Sequence, residues 1–432
     1  MSKVKVGVIG GGFGGLAVCD ELKKQPGLQV ELIDAKNHHL FQPLLYQVAM
    51  AGLNPGDIAI PLRRMFANVK NISVRLAKVS DVDVRNKSIK TNDEWASFDY
   101  LVFACGSKHH YFGNSEWEKY APGLKTIAQA TEIRRRVLLA FEKANSAKNE
   151  QERKKWLTFA IVGGGPTGVE LAGAISEMAR FTLYKDYENV DLREINVLLV
   201  EAGEKLLGSY PEKLINYTYK ELKKLGVEVM LNSRVTEVLA EEIKIDKKSI
   251  TCGTTIWAAG VKPAKINDKF STPKAKDGRL LVEKDLSLPG QKNIFVIGDQ
   301  AAVVAGGDGY LPGLAPVALQ QGKYVGKTII NDIKGKKRDN FNYFDKGTMA
   351  TIGRSKAVLS SAGFEVTGFV AWWAWIFVHI LFIARFKNRF FIFMQWAWSY
   401  FRFGRGARLI VNKNWRFYGS DYSEEKNKKN KL

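Results

Sequence analysis

Two glycine-rich segments of the chain have the residue types and spacing that suit binding of a dinucleotide diphosphate. The first, Gly10-Gly11-Gly12-Phe13-Gly14-Gly15, lies between an apolar strand and a predicted helix. Gly10 allows a tight turn, Gly12 lets the backbone approach a pyrophosphate, and Gly15 lets the helix pack against the strand. The diphosphate would then contact backbone amides at the helix N-terminus.

An acidic residue after the next strand supports this interpretation. Asp34 follows residues 28–33, a predicted strand, and lies 19 residues after Gly15. That spacing suits a carboxylate that binds ribose hydroxyls. A glycine turn without a ligand is the alternative, but the combination of strand, helix and acid favours a nucleotide site.

The same pattern recurs in the middle of the chain. Gly163-Gly164-Gly165-Pro166-Thr167-Gly168 follows the apolar residues 158–162, and a later strand ends at Glu201. Glu201 lies 33 residues after Gly168, which is longer than usual, so we expect an inserted helix or loop at residues 181–194. A carboxylate at this position accepts hydrogen bonds from a ribose 2′-hydroxyl and repels a 2′-phosphate, which favours NADH over NADPH.

Two dinucleotide units in one chain indicate redox chemistry between a flavin and a nicotinamide. Residues 293–299 form an apolar strand that ends in Gly298-Asp299. This segment resembles the strand of FAD-dependent pyridine-nucleotide oxidoreductases whose Asp binds the flavin ribityl chain, and in those proteins the strand returns to the FAD domain. The resemblance therefore assigns FAD to the first unit and NADH to the second, with residues 101–106 and 255–260 as crossover strands.

Longer and less regular segments carry a more specific resemblance. Residues 40–49, 168–173 and 345–354, with the tail from Trp372 through Gly406-Ala407-Arg408, resemble type II NADH:quinone oxidoreductases over nearly the whole chain. The resemblance implies an α/β fold with two Rossmann-like domains, for FAD and NADH, and a C-terminal membrane-anchoring segment. It also implies transfer of two electrons from NADH through FAD to menaquinone or ubiquinone, without proton pumping.

Both sets of expected cofactor contacts follow from the motifs and the resemblance. The expected FAD contacts are Gly10, Gly12, Phe13, Gly14, Gly15, Asp34, Gln42, Tyr46, Ala104, Gly106, Gly298, Asp299, Val317 and Ala318. The expected NADH contacts are Gly163, Gly165, Thr167, Gly168, Glu201, Ala259 and Gly260. The expected domains are an FAD domain at 1–115 and 266–335, an NADH domain at 116–265 and a membrane-association domain at 336–432.

Quinone reduction requires two protons as well as two electrons, and three polar residues are candidates for that half-reaction. Glu170 follows the second glycine loop, and in the resembled family this carboxylate lies near the junction of the two cofactors. Helix capping or ordering of NADH is the alternative role for Glu170. Gln320 and Gln321 are candidate quinone contacts, whereas Pro316 stands where the family often has Gln and cannot supply an amide.

The tail combines aromatic and basic residues in a way typical of a membrane surface. Residues 369–383 are apolar and rich in Trp, and residues 385–389 add three cations. This pattern favours an interfacial helix over a membrane span, a soluble dimer contact or a buried core helix. Because both dinucleotide sites lie upstream, we expect a chain ending near Val366 to keep FAD but lose membrane association.

The net charge of +21 predicts an anionic partner. Anionic lipid is favoured, with Lys426 to Lys431 as a solvated tail that adds attraction, and no nucleic acid is expected. We expect a homodimer attached peripherally to the cytoplasmic side of the cell membrane, in the monotopic manner of the resembled family. No N-terminal targeting peptide is expected, because the first glycine loop begins at Gly10.

The three cysteines, Cys19, Cys105 and Cys252, form no CxxC pair and no metal-ligand spacing, so neither a disulfide reductase nor a metal site is expected. A sulfide:quinone oxidoreductase shares the expected layout but needs cysteines placed to handle sulfur. A flavoprotein that mainly binds nucleic acid is the second alternative, and it gives no reason for the aromatic tail. Cys105 and His379 are expected to be packed side chains rather than reactive groups.

Overall fold

The computed structural model describes residues 3–305, 309–383, 386–402 and 407–411. The strands are β1 (Val4–Ile9), β2 (Leu28–Asp34), β3 (His38–Leu40), β4 (Ala59–Pro61), β5 (Ile72–Leu76), β6 (Val79–Asp83), β7 (Ser88–Thr91), β8 (Glu94–Ser97), β9 (Tyr100–Phe103), β10 (Ser107–His109), β11 (Thr158–Val162), β12 (Asn196–Val200), β13 (Val227–Met230), β14 (Val235–Val238), β15 (Glu242–Ile245), β16 (Lys248–Thr251), β17 (Thr254–Trp257), β18 (Val261–Pro263), β19 (Leu280–Leu281), β20 (Ser287–Leu288), β21 (Gln291–Val296), β22 (Ala301–Ala302), β23 (Thr348–Gly353), β24 (Lys356–Ser361) and β25 (Phe364–Thr367). The α-helices are α1 (Phe13–Leu22), α2 (Leu45–Ala49), α3 (Pro55–Ile58), α4 (Leu62–Met65), α5 (Ile127–Asn145), α6 (Glu150–Trp156), α7 (Pro166–Glu177), α8 (Glu212–Lys224), α9 (Ala315–Ile333), α10 (Gly368–Phe382) and α11 (Phe386–Arg402).

The first dinucleotide unit is built on a six-stranded sheet in the order β20-β21-β9-β1-β2-β5. β1 pairs in parallel with β2 and β9, so the glycine loop after β1 lies at the carboxyl edge of the sheet. β21 also pairs in parallel with β9, which brings the segment that ends in Gly298-Asp299 back to this sheet. β5 pairs in parallel with β2 as well, so the edge gathers the ends of five parallel strands, the usual place for a ligand in such sheets.

The second unit has a four-stranded parallel sheet in the order β13-β12-β11-β17. Its glycine loop follows β11, which pairs with β12 on one side and β17 on the other. The long spacing before Glu201 is taken up after α7 by a π-helical turn at Met178–Thr182 and 3-10 turns at Leu183–Asp186 and Leu192–Glu194.

The two units are joined by an antiparallel pair of strands, β10 and β18, in which Ser107 pairs with Pro263. The prediction that residues 101–106 and 255–260 are the crossover strands is therefore wrong: these segments contain most of β9 and β17, which belong to the two parallel sheets, and the crossover strands follow directly after them. The α/β fold with two Rossmann-like units is confirmed. The exact limits of the predicted domains, 1–115, 116–265, 266–335 and 336–432, stay a prediction.

The C-terminal part adds an antiparallel sheet, β23-β24-β25, and the helices α10 and α11. One face of α10 is buried through Ala371, Trp375 and Ile376, while its opposite face is exposed. The tail is therefore partly core and partly surface, a combination that periodicity alone did not predict. None of the helices in the described ranges is long and apolar enough to cross a bilayer. Gly406 and Lys426 to Lys431 lie outside the described residues.

The tail is tied to the first unit by a buried cation. The Arg134 guanidinium, on α5, donates to the carbonyl oxygens of Val48 at 2.8 Å, Leu53 at 2.8 Å and Ala407 at 3.2 Å. Arg408 adds an ion pair with Asp186. These bonds hold the loop after α2 against the described end of the chain.

Candidate functional site

A cavity of about 2700 Å³, called here the cofactor cleft, lies between the two dinucleotide units and the C-terminal sheet. Its wall includes Gly10 and Asp34 from the first unit, Thr167 from the second, and Thr348 and His379 from the C-terminal part. The cleft is therefore large enough for two dinucleotide groups and is open to all three parts of the fold. Among the described residues, no cluster of three His, Cys, Asp or Glu side chains is placed to hold a metal.

The two glycine loops use the same hydrogen bond to place their acidic residue. The Gly11 amide donates to Asp34 Oδ2 at 2.6 Å, and the Gly164 amide donates to Glu201 Oε2 at 2.5 Å. The second oxygen of Asp34 accepts from the Lys36 amide at 2.7 Å, and the second oxygen of Glu201 accepts from the Gly203 amide at 2.7 Å. Each carboxylate is thus fixed beside its loop, where an adenosine ribose would lie.

The two loops also share their steric requirements. A Cβ on Gly15 would lie 1.8 Å from the Gly10 carbonyl oxygen, and a Cβ on Gly168 would lie 1.8 Å from that of Gly163. A Cβ on Gly12 or Gly165 would meet no protein atom within 4 Å. The protein thus leaves open space next to the backbone at the N-terminus of α1 and of α7. Both loops fit a bound diphosphate.

Asp299 lies on the cleft wall and is held by side chains from two other elements. The Ser107 hydroxyl donates to Asp299 Oδ2 at 2.5 Å, and the Lys125 ammonium lies 3.8 Å from the same oxygen. Lys125 also donates to Ser107 Oγ at 2.8 Å. Burial lowers the pKa of Lys125, and the negative charge of Asp299 partly opposes that shift. This arrangement offers a carboxylate and a cation to a polyhydroxyl chain such as ribityl. It suits FAD.

Glu170 lies in the first two turns of α7, at a wall between the cofactor cleft and a smaller cavity. Burial raises the pKa of its carboxyl to about 8, and a hydrogen bond from the Thr351 amide opposes the shift. Tyr46 lines both cavities beside it, and its hydroxyl pairs with Thr351 Oγ1 at 3.0 Å. Glu170 is therefore mostly protonated near neutral pH and can donate a proton.

Most of the predicted FAD residues lie on the cleft wall, whereas most of the predicted NADH residues do not. Those on the wall are Gly10, Gly12, Phe13, Gly14, Asp34, Gln42, Tyr46, Ala104, Gly106, Gly298, Asp299 and Ala318. Gly15 and Val317 are not part of the wall. Of the NADH set only Thr167 is on it, while Gly163, Gly165, Gly168, Glu201, Ala259 and Gly260 lie outside the wall.

Neither Gln320 nor Gln321 is on the cleft wall. The amide of Gln320 donates to the Phe344 carbonyl at 2.9 Å and accepts from the Phe344 amide at 3.0 Å. Gln321 is 1% exposed, and its Oε1 accepts from the Gly298 amide at 2.6 Å. The structure thus gives both side chains backbone partners away from the cleft wall, and their contact with quinone stays a prediction.

Three cleft residues were missed or set aside in the sequence prediction. No sequence motif identified Ser107 or Lys125, because their hydrogen bond forms only where β10 meets the residues just before α5. His379 was expected to be merely packed, yet it lines the cleft while its ring stacks on Trp375 at 4.1 Å. His379 Nδ1 lies 2.7 Å from the Trp375 carbonyl oxygen, one turn earlier, so Nδ1 carries the proton and Nε2 is left as an acceptor.

The three cysteines offer no reactive thiolate. Cys19 and Cys252 are buried, and burial raises the pKa of the Cys105 thiol to about 12 and that of the Cys252 thiol to about 11. Burial also raises the pKa of Cys19. A thiol that keeps its proton at neutral pH is a poor nucleophile, so the site does not suit sulfur chemistry.

Comparison with known proteins agrees with this geometry. Residues 4–322 match the family described as pyridine nucleotide-disulphide oxidoreductase. A type II NADH:quinone oxidoreductase of Mycobacterium tuberculosis is 36% identical over 95% of this chain and 90% of its own length. The structure of NDH2 from Plasmodium falciparum in complex with NADH has a TM-score of 0.86 at 22% identity, covering 95% of this chain and 100% of that one.

A sulfide:quinone oxidoreductase from Aquifex aeolicus is structurally more distant, with a TM-score of 0.72 at 18% identity over 89% of this chain and 91% of its own. That likeness concerns the fold alone. The sequence match and its coverage of both chains place this protein in a family: the chain belongs to the type II NADH:quinone oxidoreductases.

Proposed function

We propose that the chain oxidises NADH and passes two electrons through bound FAD to a membrane quinone, without pumping protons. One cleft that meets both glycine loops and the C-terminal helices is the observation that carries this function. Bound FAD supplies a two-electron store that accepts hydride from NADH and returns electrons to quinone. The chain itself binds and orients the three partners, excludes water and supplies protons.

The cofactor contacts stay as predicted from the sequence, with one addition. Asp34 and Glu201, each fixed by a glycine-loop amide, hold the ribose hydroxyls of FAD and NADH respectively. Asp299 binds the ribityl chain, and we add Ser107 and Lys125 as the residues that orient its carboxylate. Glu201 supports a preference for NADH because its charge would repel a 2′-phosphate.

The quinone enters through an apolar branch of the cleft next to α10. The apolar residues of the cleft wall that we assign to this branch are Phe41, Pro43, Pro316, Leu319, Met349, Val378 and Phe382. His379 contacts Phe41, with ring centroids 6.2 Å apart, and its Nε2 is a hydrogen-bond acceptor. Glu170 lies on the same cleft wall with a carboxyl that donates. Apolar walls suit a lipid-soluble ring, and the Glu170 carboxyl can donate to a quinone carbonyl oxygen while negative charge develops there. The neutral His379 Nε2 can accept a hydrogen bond only from the quinol hydroxyl that forms afterwards.

The exposed face of α10 rests on the membrane surface. Phe369, Trp373, Phe377 and Leu381 follow one another at four-residue spacing and are 51%, 47%, 64% and 48% exposed. Four-residue spacing places them on one side of the helix, which forms an apolar stripe. The chain's positive charge adds attraction to anionic lipid. Attachment to the cytoplasmic side and assembly into a homodimer stay predictions, to be checked by protease access in oriented vesicles and by light scattering.

Anaerobic spectroscopy tests the proposed function. Adding NADH to the purified, FAD-loaded protein should bleach the flavin absorbance, and a quinone added afterwards should restore it. NADH that leaves the absorbance unchanged, or a reduced flavin that no quinone reoxidises, would overturn the proposal.

A further inference from the structure

The smaller cavity next to Glu170, called here the second cavity, has a volume of about 160 Å³. Its roof is formed by Trp372, Trp375, Ile376 and Trp396 of the C-terminal helices, and its floor by residues of α7 and β23. A water molecule needs only about 10–15 Å³ of such space. The second cavity can therefore hold several water molecules.

The chemistry of the lining indicates that these molecules are bound rather than excluded. Trp375 is 2% exposed and lines the second cavity, and its indole Nε1–H has no hydrogen-bond partner within the described part of the chain. A buried donor left without a partner is destabilising, so a partner is expected inside the cavity. The partner chemistry that fits beside Glu170 and Glu177 is water.

The two carboxylates are arranged along one face of α7. Glu170 and Glu177 are seven residues apart, which is about two helical turns, and both line the second cavity. Glu177 accepts a hydrogen bond from the Arg354 amide. Phe181, which is 45% exposed, and Thr182 also line the cavity, so its Glu177 end lies close to solvent.

One wall of the second cavity is a fixed chain of hydrogen bonds. Trp396 Nε1 donates to Gln47 Oε1 at 2.7 Å, and Gln47 Nε2 donates to the Tyr46 hydroxyl at 3.1 Å. The amide of Gln47 interrupts proton transfer along this wall, because it neither gains nor loses a proton near neutral pH. A proton that reaches Glu170 from this cavity would therefore have to pass through cavity water and Glu177 rather than along this wall.

We propose that the second cavity is a water-filled proton inlet that recharges Glu170 from the Glu177 side, separately from the branch through which quinone enters. This inference rests on the proposed function. The overall reaction, NADH + H⁺ + quinone → NAD⁺ + quinol, takes one proton from the medium in each turnover. Glu170 faces both cavities, so its O–H proton can pass into the cleft and be replaced by one from cavity water, which is in turn replaced from solvent.

Two substitutions in the lining of the second cavity test the inlet without replacing a residue that we assign to quinone binding. Ala174 lines the second cavity but carries no polar group, so Ala174→Leu fills the space without removing a charge. Trp375→Phe removes the indole donor and keeps an aromatic ring. Trp95→Phe is the matched control, because Trp95 is 51% exposed on β8 and lines neither cavity.

The FAD-loaded full chain is first reduced by NADH and then mixed with a water-soluble quinone in stopped flow, in H₂O and in D₂O. The charged and titratable groups around the inlet are Glu170, Glu177, Tyr46 and Arg354. Each variant is followed across roughly pH 6 to 9, about one to two pKa units on either side of neutral. We expect Ala174→Leu and Trp375→Phe to slow reoxidation by about 10-fold, less than the roughly 100-fold or more that loss of a general acid costs. Their solvent isotope effect should rise, and a small acid such as formic acid should restore the rate.

Flavin reduction by NADH should be unchanged in both variants, which shows that the cofactor sites are intact. Reoxidation of both variants at the rate of Trp95→Phe across the pH range would overturn the inlet and leave the proposed function standing. A wild-type protein whose reduced flavin no quinone reoxidises would overturn both. If Ala174→Leu does not retain FAD, Ala174→Val and Trp375→Phe decide the question.

Discussion

Tyr46 and Thr351 share a hydrogen bond of 3.0 Å between their hydroxyl groups, although 305 residues separate them in the chain. Tyr46 belongs to α2 of the first unit, and Thr351 belongs to β23 of the C-terminal sheet. Trp375 of α10 contacts the Tyr46 ring edge-on, with centroids 6.4 Å apart. The wall that carries Glu170 is therefore assembled from distant parts of the sequence.

This relationship changes the prediction for a shortened chain. A chain ending near Val366 was expected to keep FAD, because both glycine loops lie upstream of the tail. Removing α10 would expose Tyr46 and the cavities behind it, and it would leave Arg134 without its bond to Ala407. We therefore expect such a chain to bind FAD less well, and membrane attachment needs a test that leaves the buried face of α10 in place.

The first prediction concerns the apolar stripe of α10. Replacing Phe369, Trp373 and Phe377 together by Ser should weaken binding to anionic vesicles by about 100-fold, since each half-buried side chain contributes about 1 kcal/mol. FAD content should be unchanged because the three side chains point away from the cleft. Vesicle sedimentation measures the binding, with Leu76→Ser, Trp95→Ser and Leu239→Ser combined as the control for loss of exposed apolar side chains elsewhere. Equal loss in the control would contradict a localised membrane contact.

The second prediction concerns nucleotide choice. Glu201→Ser should lower the ratio of kcat/KM for NADH to that for NADPH by about 10-fold or more, because a charge-assisted hydrogen bond of roughly 1.5–3 kcal/mol is lost and the repulsion of a 2′-phosphate ends. Flavin reduction at several concentrations of each nucleotide provides the ratio. Glu204→Ser, an exposed carboxylate three residues later, makes the same charge change and should keep the wild-type ratio. An unchanged ratio in Glu201→Ser would move the ribose site elsewhere.

The sequence predicted the parts of the site whose chemistry is local. Asp34 accepts a hydrogen bond from the amide of Gly11, which lies 23 residues earlier in the first glycine loop, so strand, loop and acid could be recognised together in the sequence. The bond between Gln321 and the Gly298 amide could not be predicted, because the packing of α9 on the first unit decides which way the side chain points. His379 was missed for a related reason: the helix is apolar on nearly every face, so periodicity does not show which side meets the cleft.

The third prediction uses the different partners of two neighbouring glutamines: Gln321 bonds to the Gly298 amide on the cleft wall, and Gln320 bonds to the backbone of Phe344. Gln321→Ala removes the buried acceptor of the Gly298 amide, at a cost of roughly 1–3 kcal/mol, and should speed FAD release about 10-fold. The KM for quinone in the FAD-loaded fraction should stay at its wild-type value. Gln320→Ala serves as the control and should resemble wild type in both, since its partner is the backbone of Phe344 outside the cleft. A raised quinone KM with normal FAD retention would restore the original expectation of a quinone contact.

The fourth prediction concerns the stability of the protein. Because burial raises the pKa of Glu170 from 4.5 to about 8, the native state binds this proton more tightly than the unfolded state does. The free energy of unfolding should therefore fall as pH rises from about 4.5 to about 8, with no further change from this group above that range. Glu170→Gln removes this dependence. The Tm of Glu170→Gln relative to wild type should increase across that window in thermal scans of the FAD-loaded protein, and a constant difference would mean that Glu170 is not a buried acid.

The last prediction places the same carboxyl in the quinone half-reaction. Below a pH of about 8 Glu170 is protonated and can donate to the quinone oxygen, whereas above it the carboxylate cannot. The rate of flavin reoxidation by quinone should therefore fall as pH rises through about 8, while reduction by NADH should show no such step. Glu170→Gln should reoxidise about 100-fold more slowly than wild type at neutral pH, with the step near pH 8 abolished. Stopped-flow traces follow the two half-reactions separately, and Glu204→Gln controls for the charge change at the surface. If Glu170→Gln instead slows reduction by NADH and leaves reoxidation and its pH profile intact, Glu170 orders the nicotinamide and another group supplies the proton.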